Sequence, residues 1–131
     1  MNDISVGDTF FVQYPKNKSH LFFVIMDICE KTPNLYICAM LSSWKDDSVY
    51  CDPACIINKG EHPFVDHKSY IAYRGTIVLT KDDLSLYIDS GRFRKDVPAS
   101  SELIERIRKS ALKSKALNPI IRNYLIDRLL H

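Results

Sequence analysis

Apolar residues come in short blocks over the first eighty positions and at helical spacing over the last thirty. "TFFVQY" from Thr9 follows Gly7 and is closed by "PKNKS"; "LFFVIMDI" from Leu21 runs into the turn "EKTPN"; "LYICAML" begins at Leu35. Blocks of six to eight residues rich in Phe, Val, Ile and Tyr, set between turn residues, predict β-strands rather than helices. Their close spacing predicts antiparallel neighbours. After the polar "SSWKDD", "SVYC" and "ACII" read as two short strands or as one interrupted by Pro53, a residue that sheets accept only at an edge or a bulge. "SYIAYRGTIVL" from Ser69 opens with Tyr70 and Ala72 alternating against Ile71 and Tyr73. Some five to seven strands in about eighty residues predict a small closed or half-closed barrel, because closure removes exposed edges.

The pattern then changes period. Thr80 with Asp83 resembles a capping box that opens a short helix or turn, "KDDLSLYI". From Ser100, "SSELIERIRKSALKSKAL" places Leu103, Ile104, Ile107, Ala111 and Leu112 on one stripe, with serine to cap the start and glutamates in the first turns. Arg106, Lys109 and Lys113 occupy the opposite face. Asn118 followed by Pro119 starts a second helix, "IIRNYLIDRLL", with Ile121, Leu125 and Leu129 on one side. The expected fold is mainly β with C-terminal helices: an antiparallel barrel followed by two α-helices. It forms a single domain over residues 1–131, with a β body over 1–80 and a basic helical extension over 81–131.

A chain of 131 residues with 46% apolar residues suits one domain of modest core. No stretch reaches the roughly 18 apolar residues that span a bilayer, and the N-terminus lacks the charged and apolar regions of a secretory signal, so a cytoplasmic protein with no membrane partner is expected. Cys29, Cys38, Cys51 and Cys55 read as free thiols in a reducing compartment, two of them inside apolar strands. Charge is uneven. From Arg92 onward stand ten of the eighteen basic residues but four of the sixteen acidic ones, so the tail carries about +6 and the body about −4. Such a split suits either an anionic partner, RNA or another nucleic acid held by Arg106, Lys109 and Lys113, or a tail that docks on its own acidic body.

Candidate chemistry concentrates in "GEHPFVDHKSYIAYRG", residues 60–75. Cys51, Cys55, His62 and His67 are ligand types that zinc accepts, but their spacing departs from the usual finger, so a metal site is the minority alternative and no cofactor is expected. No G-x-S-x-G elbow marks a serine nucleophile, and four scattered glycines cannot form a phosphate-cradling loop. General acid and base chemistry remains. Two histidines and a cation are the equipment for cleaving RNA without a metal: a base for the 2′-OH, an acid for the leaving oxygen and a positive charge for the phosphorane. His20, Ser42, Ser43, His62, His67 and Arg74 are the candidate residues. Alternatively, His62 and His67 are structural members of a turn and the protein is a non-enzymatic module that binds protein or nucleic acid.

The opening "VGDTFFVQYP", with Gly7 and Asp8, resembles the first strand of the PemK/MazF-like toxin family; "SHLFFVIM" is similar to its second strand, and "CAMLSS", ending in Ser42 and Ser43, to its third. The resemblance covers residues 5–80. It implies an SH3-like barrel, metal-independent endoribonuclease activity and a possible antitoxin partner. Where that family carries a catalytic arginine before the second strand, this chain has Ser19 and His20, so the resemblance requires His20 to act as an acid or base. Residues 60–75 are not part of the family's usual pattern.

Overall fold

The computed structural model describes residues 4–13, 19–28 and 34–130; Cys29 and the turns read at Pro15 and Pro33 lie outside the described residues. The strands are β1 (Thr9–Gln13), β2 (Ser19–Ile28), β3 (Leu35–Ser43), β4 (Ile56–Ile57), β5 (Ser69–Thr80) and β6 (Phe93–Asp96), and the helices are α1 (Lys81–Asp89), α2 (Ser101–Ala111) and α3 (Pro119–Leu130). All strand pairs are antiparallel, in the spatial order β4-β5-β3-β2-β1-β6.

Two expectations are corrected here. Among the described residues the sheet is open, not a closed barrel, and three helices accompany it, not two. The terminal strands are only two and four residues long. Strands so short limit the exposed edge without closure, and Arg94, Lys95 and Asp96 put charge on the β6 edge. Of "SVYC" and "ACII" only Ile56–Ile57 is strand. The extension from residue 81 is not purely helical, because β6 returns to pair with β1, Phe10 opposite Lys95.

Helices cover what closure leaves open. On one face Leu21, Phe23, Ile25, Ile37, Ala39, Ile71 and Tyr73 meet Leu103, Ile104, Ile107 and Ala111 of α2 and Ile121 and Leu125 of α3. On the other, Phe10, Phe22, Val24, Tyr36 and Cys38 pack with Leu84 of α1. Both faces being buried explains why the central strands read as continuous apolar runs. A register shift between Val24 and Met26 returns Met26 and Ile28 to the face of Ile25. A larger irregularity lies in β5: Cys38 pairs with Ile77 and Met40 with Ala72, so Tyr73–Thr76 stand opposite Ala39 alone. Gly75 sits in that bend. A Cβ there would lie 2.6 Å from Met40 Cε.

The predicted helix starts are present. Thr80 Oγ1 accepts from Asp83 N at 3.0 Å, Ser100 Oγ from Leu103 N at 3.2 Å, and Asn118 Oδ1 from Ile120 N at 2.8 Å. α2 stops at Ala111, short of the expected stripe, and the chain turns where Ser114 Oγ bonds Asp52 Oδ2 at 2.5 Å. Buried Tyr73 ties sheet to helix, its hydroxyl donating to Ile107 O at 2.6 Å. Among the described residues no helix is long and apolar enough to cross a membrane.

Candidate active site

Antiparallel order brings the start of β2, the end of β3 and the start of β5 to one end of the sheet. Ser42 faces Tyr70 and Ser43 faces Ser69. Two residues beyond the Phe22–Met40 pair stand His20 and Ser42. Side chains alternate between faces along a strand, so Ser43 and Ser69 share a face with Leu41 and Ile71, while His20 and Ser42 share the opposite one with Phe22 and Met40. A cleft of about 330 Å³ wraps over this end, lined by Ser19, His20, Ser42, Ser43, Lys45, Phe64, His67 and Ser69 with Leu21, Leu41 and Val65 at its base. His20 also lines a neighbouring groove of about 580 Å³ that holds Arg74.

Within the cleft the hydrogen bonds assign protons. His67 Nδ1 lies 2.5 Å from Asp66 Oδ1 and its Nε2 lies 2.7 Å from Ser43 Oγ. A carboxylate only accepts, so Nδ1 carries the proton; in the neutral ring Nε2 accepts from the serine hydroxyl. The hydrogen bond from His67, and secondarily its charge, hold the Asp66 carboxyl below the usual carboxylate range. The order of atoms is hydroxyl, imidazole, carboxylate. His20 Nδ1 lies 3.2 Å from the Leu41 carbonyl, which also only accepts, so His20 donates from Nδ1 and presents Nε2 as its other ring nitrogen. Ser42 does not join the chain; it stands opposite Tyr70, whose hydroxyl holds its proton above the ordinary tyrosine range chiefly because of burial.

Backbone pairing keeps Ser43 and His67 together. Trp44 N donates to Lys68 O at 3.1 Å, extending the ladder past Ser43, and Ser69 Oγ donates to His67 O at 3.1 Å. Upstream, a compact loop is closed by Gly60 N to Val65 O at 3.0 Å and Val65 N to His62 O at 2.9 Å. Gly60 has φ +91°, a conformation that glycine adopts without steric cost.

His62 belongs to this loop and does not line the cleft. It is 2% exposed. Its Nδ1 accepts from Phe64 N at 3.1 Å, so Nε2 carries the proton and donates to Val97 O at 2.6 Å, with the ring edge-on to Phe23 at 5.9 Å. Both nitrogens are used internally.

No family model, curated protein or solved structure matches the chain. What the site does is therefore read from its own atoms. Of the six residues expected to be catalytic, the structure brings His20, Ser42, Ser43 and His67 to one cleft and sets Arg74 in the adjoining groove. His62 alone is turned inward. Arg74 lies over the Tyr50 ring at 5.6 Å. The three tail cations are elsewhere: Arg106 grips Glu61, Lys109 lies 3.4 Å from Glu105 of its own helix, and Lys113, beyond the end of α2, lines a groove with Tyr50 and Lys115. The minority metal set is not assembled. Among the described residues no three His, Cys, Asp or Glu side chains gather as a metal would require. Cys51 instead contacts the Lys45 backbone, and Cys55 is buried in the core. Asp66 and Lys45 are the site residues not singled out in the sequence; the clue to Asp66 was its adjacency to His67 in "VDHK".

Proposed function

We propose that this protein cleaves single-stranded RNA without a metal, with His67 as base, His20 as acid and Lys45 as the charge that meets the phosphorane. The observation that carries the proposal is that His20, His67 and Lys45 line one cleft, with His67 already bonded through Nε2 to a hydroxyl. Ser43 Oγ marks where a substrate 2′-OH would sit. The 2′-oxygen attacks the adjacent phosphorus, its proton passes to His67 Nε2, and the 5′-oxygen leaves with a proton from His20 Nε2, giving a 2′,3′-cyclic phosphate and a 5′-hydroxyl. An intramolecular nucleophile needs only orientation, which suits an exposed cleft. Lys68 lies over Trp44 at 4.6 Å beside Ser43, and Phe64 at the cleft wall is 43% exposed, so bases have aromatic surfaces and phosphates have nearby cations. The resemblance of residues 5–80 to toxin endoribonucleases points the same way.

The test is cleavage of mixed-sequence single-stranded RNA in the presence of chelator between about pH 5 and 8. Wild type should cut and leave cyclic phosphate ends; His20→Ala and His67→Ala should each lower the rate by about 10²-fold or more. Intact RNA with the wild type, or undiminished cutting by His67→Ala, would overturn the proposal. Salt-dependent binding without cutting would leave an interaction module.

A further inference from the structure

We propose that Ser43 is a nucleophile in its own right, giving the same cleft a second activity toward small esters and related acyl or phosphonyl electrophiles. The proposal shares His67 with the RNA chemistry but does not require RNA to be a substrate.

Three observations carry it. First, Ser43 Oγ, His67 Nε2, His67 Nδ1 and Asp66 Oδ1 stand in series at 2.7 and 2.5 Å, so the hydroxyl meets a base that a third group orients. Second, Ser43 is exposed and ends a strand that β5 pairs to its last residue, Ser42 with Tyr70 and Ser43 with Ser69, so its Oγ is offered to solvent from ordered backbone. Third, Lys45 lines the same cleft two residues on, so the cleft that holds the hydroxyl also carries a cation able to meet a developing oxyanion. Ser42 is an internal control: adjacent and in the same cleft, but opposite Tyr70, while the His67 imidazole bonds Ser43.

The chemistry balances without a co-reactant other than water. Ser43 Oγ attacks the carbonyl carbon while its proton moves to His67 Nε2. The bond from carbon to the leaving alkoxide breaks, and His67 returns the proton to that oxygen, releasing an alcohol and leaving Ser43 acylated. Water, deprotonated by His67, then cleaves the acyl ester to a carboxylic acid and restores the serine. The cleft's volume of about 330 Å³ accommodates a small acyl group.

The experiment treats the full chain with a fluorophosphonate probe and locates the adduct by peptide mass analysis. The expected result is one phosphonyl group per chain, on Ser43. Ser43→Ala should abolish labelling, His67→Ala should slow it by about 10²-fold or more, Asp66→Asn should slow it measurably, and Ser42→Ala should label as wild type. None of the four side chains is buried, and thermal melting of each variant checks folding. An unlabelled wild type, or a labelling rate that survives His67→Ala, overturns the proposal. Labelling and RNA cleavage are read separately on the wild type, because labelling needs the Ser43 hydroxyl while the RNA reaction takes its nucleophile from the substrate. A labelled protein that leaves RNA intact therefore sinks only the nuclease; an unlabelled one that cuts RNA sinks only the nucleophile.

Discussion

Replacing His62 by alanine separates a structural histidine from the proposed base five residues away. The ring makes two hydrogen bonds that no methyl group replaces, to Val97 O at 2.6 Å and from Phe64 N at 3.1 Å, and an edge contact with Phe23. Each lost hydrogen bond costs about 1 kcal/mol, rising where water cannot reach the orphaned partner, and the aromatic contact adds about 0.5–1 kcal/mol. At a site 2% exposed the total is roughly 3 kcal/mol. Unfolding entropy of about 2.1 cal/mol/K per residue makes this a fall of roughly 10 °C in Tm for a chain of 131 residues. Differential scanning calorimetry measures it, and RNA cleavage assayed well below the lowered Tm should stay within a few-fold of wild type. His67→Ala should do the reverse, moving Tm by about 1 °C and removing activity, since its side chain is 58% exposed. A His62→Ala protein that melts with the wild type would refute the clamp. One that stays folded yet is as inactive as His67→Ala would make His62 part of the chemistry.

Three further outcomes are expected. Arg106 holds the Glu61 carboxyl below its ordinary value of 4.5, so the pair's stabilisation is present above that value and lost as pH falls below it. Glu61→Gln should therefore cost about 1 kcal/mol or less at neutral pH and nothing in acid, read from urea melts at a series of pH values; a difference independent of pH would contradict the pairing. Gly75→Ala must displace Met40, whose Cε and Sδ lie 2.6 and 3.0 Å from the new Cβ, and should destabilise by about 1–2 kcal/mol, with much of the loss recovered when Met40 is also shortened to alanine; additive losses in the double mutant would exclude that contact. Trp44, the single tryptophan, lies beside Ser43, so its fluorescence should fall as a single-stranded oligonucleotide binds and recover as salt is added; an unchanged signal at saturating RNA would place binding away from the cleft.

Features set by neighbours in sequence were legible. The apolar blocks of β1, β2, β3 and β5 and the caps at Thr80, Ser100 and Asn118 depend on residues within a few positions, and all are present. Closure was not legible, because it depends on which strands meet at the sheet's ends. β6 is "FRKD", with no apolar block to announce it, and its identity as a strand comes from pairing with β1 more than eighty residues away. The two histidines show the same limit. His62 and His67 lie in one segment of similar composition, and what divides them is Val97 for one and Ser43 for the other. The register that sets Ser43 against Ser69 also creates the chain from Asp66 to Ser43, which no motif spells.

Part of the basic tail pairs with the acidic body of the same chain. Three of its cations reach acids of the body: Arg106 to Glu61 at 2.6 Å, Lys95 to Asp8 at 3.4 Å and Arg128 to Asp27 at 3.9 Å. Arg106 is the informative member. Its guanidinium bonds both carboxylate oxygens of Glu61, at 2.6 and 2.9 Å, and the carbonyl of Ile56 at 3.2 Å, so α2 holds β4 and the loop that follows it. That loop is closed by Glu61 accepting from Asn58 N at 2.7 Å and leads through His62 and Val65 to Asp66 and His67. A planar fork of donors fixes an orientation that a lysine could not, which gives the position a reason to be arginine. The split of charge along the sequence thus has a physical use within the molecule: opposite charges on body and tail attach α2 to the loop that leads to Asp66 and His67. If the proposed RNA cleavage holds, affinity is expected from Lys45 and Arg74, which line the two clefts, and from Lys68 over Trp44, more than from the outer face of α2.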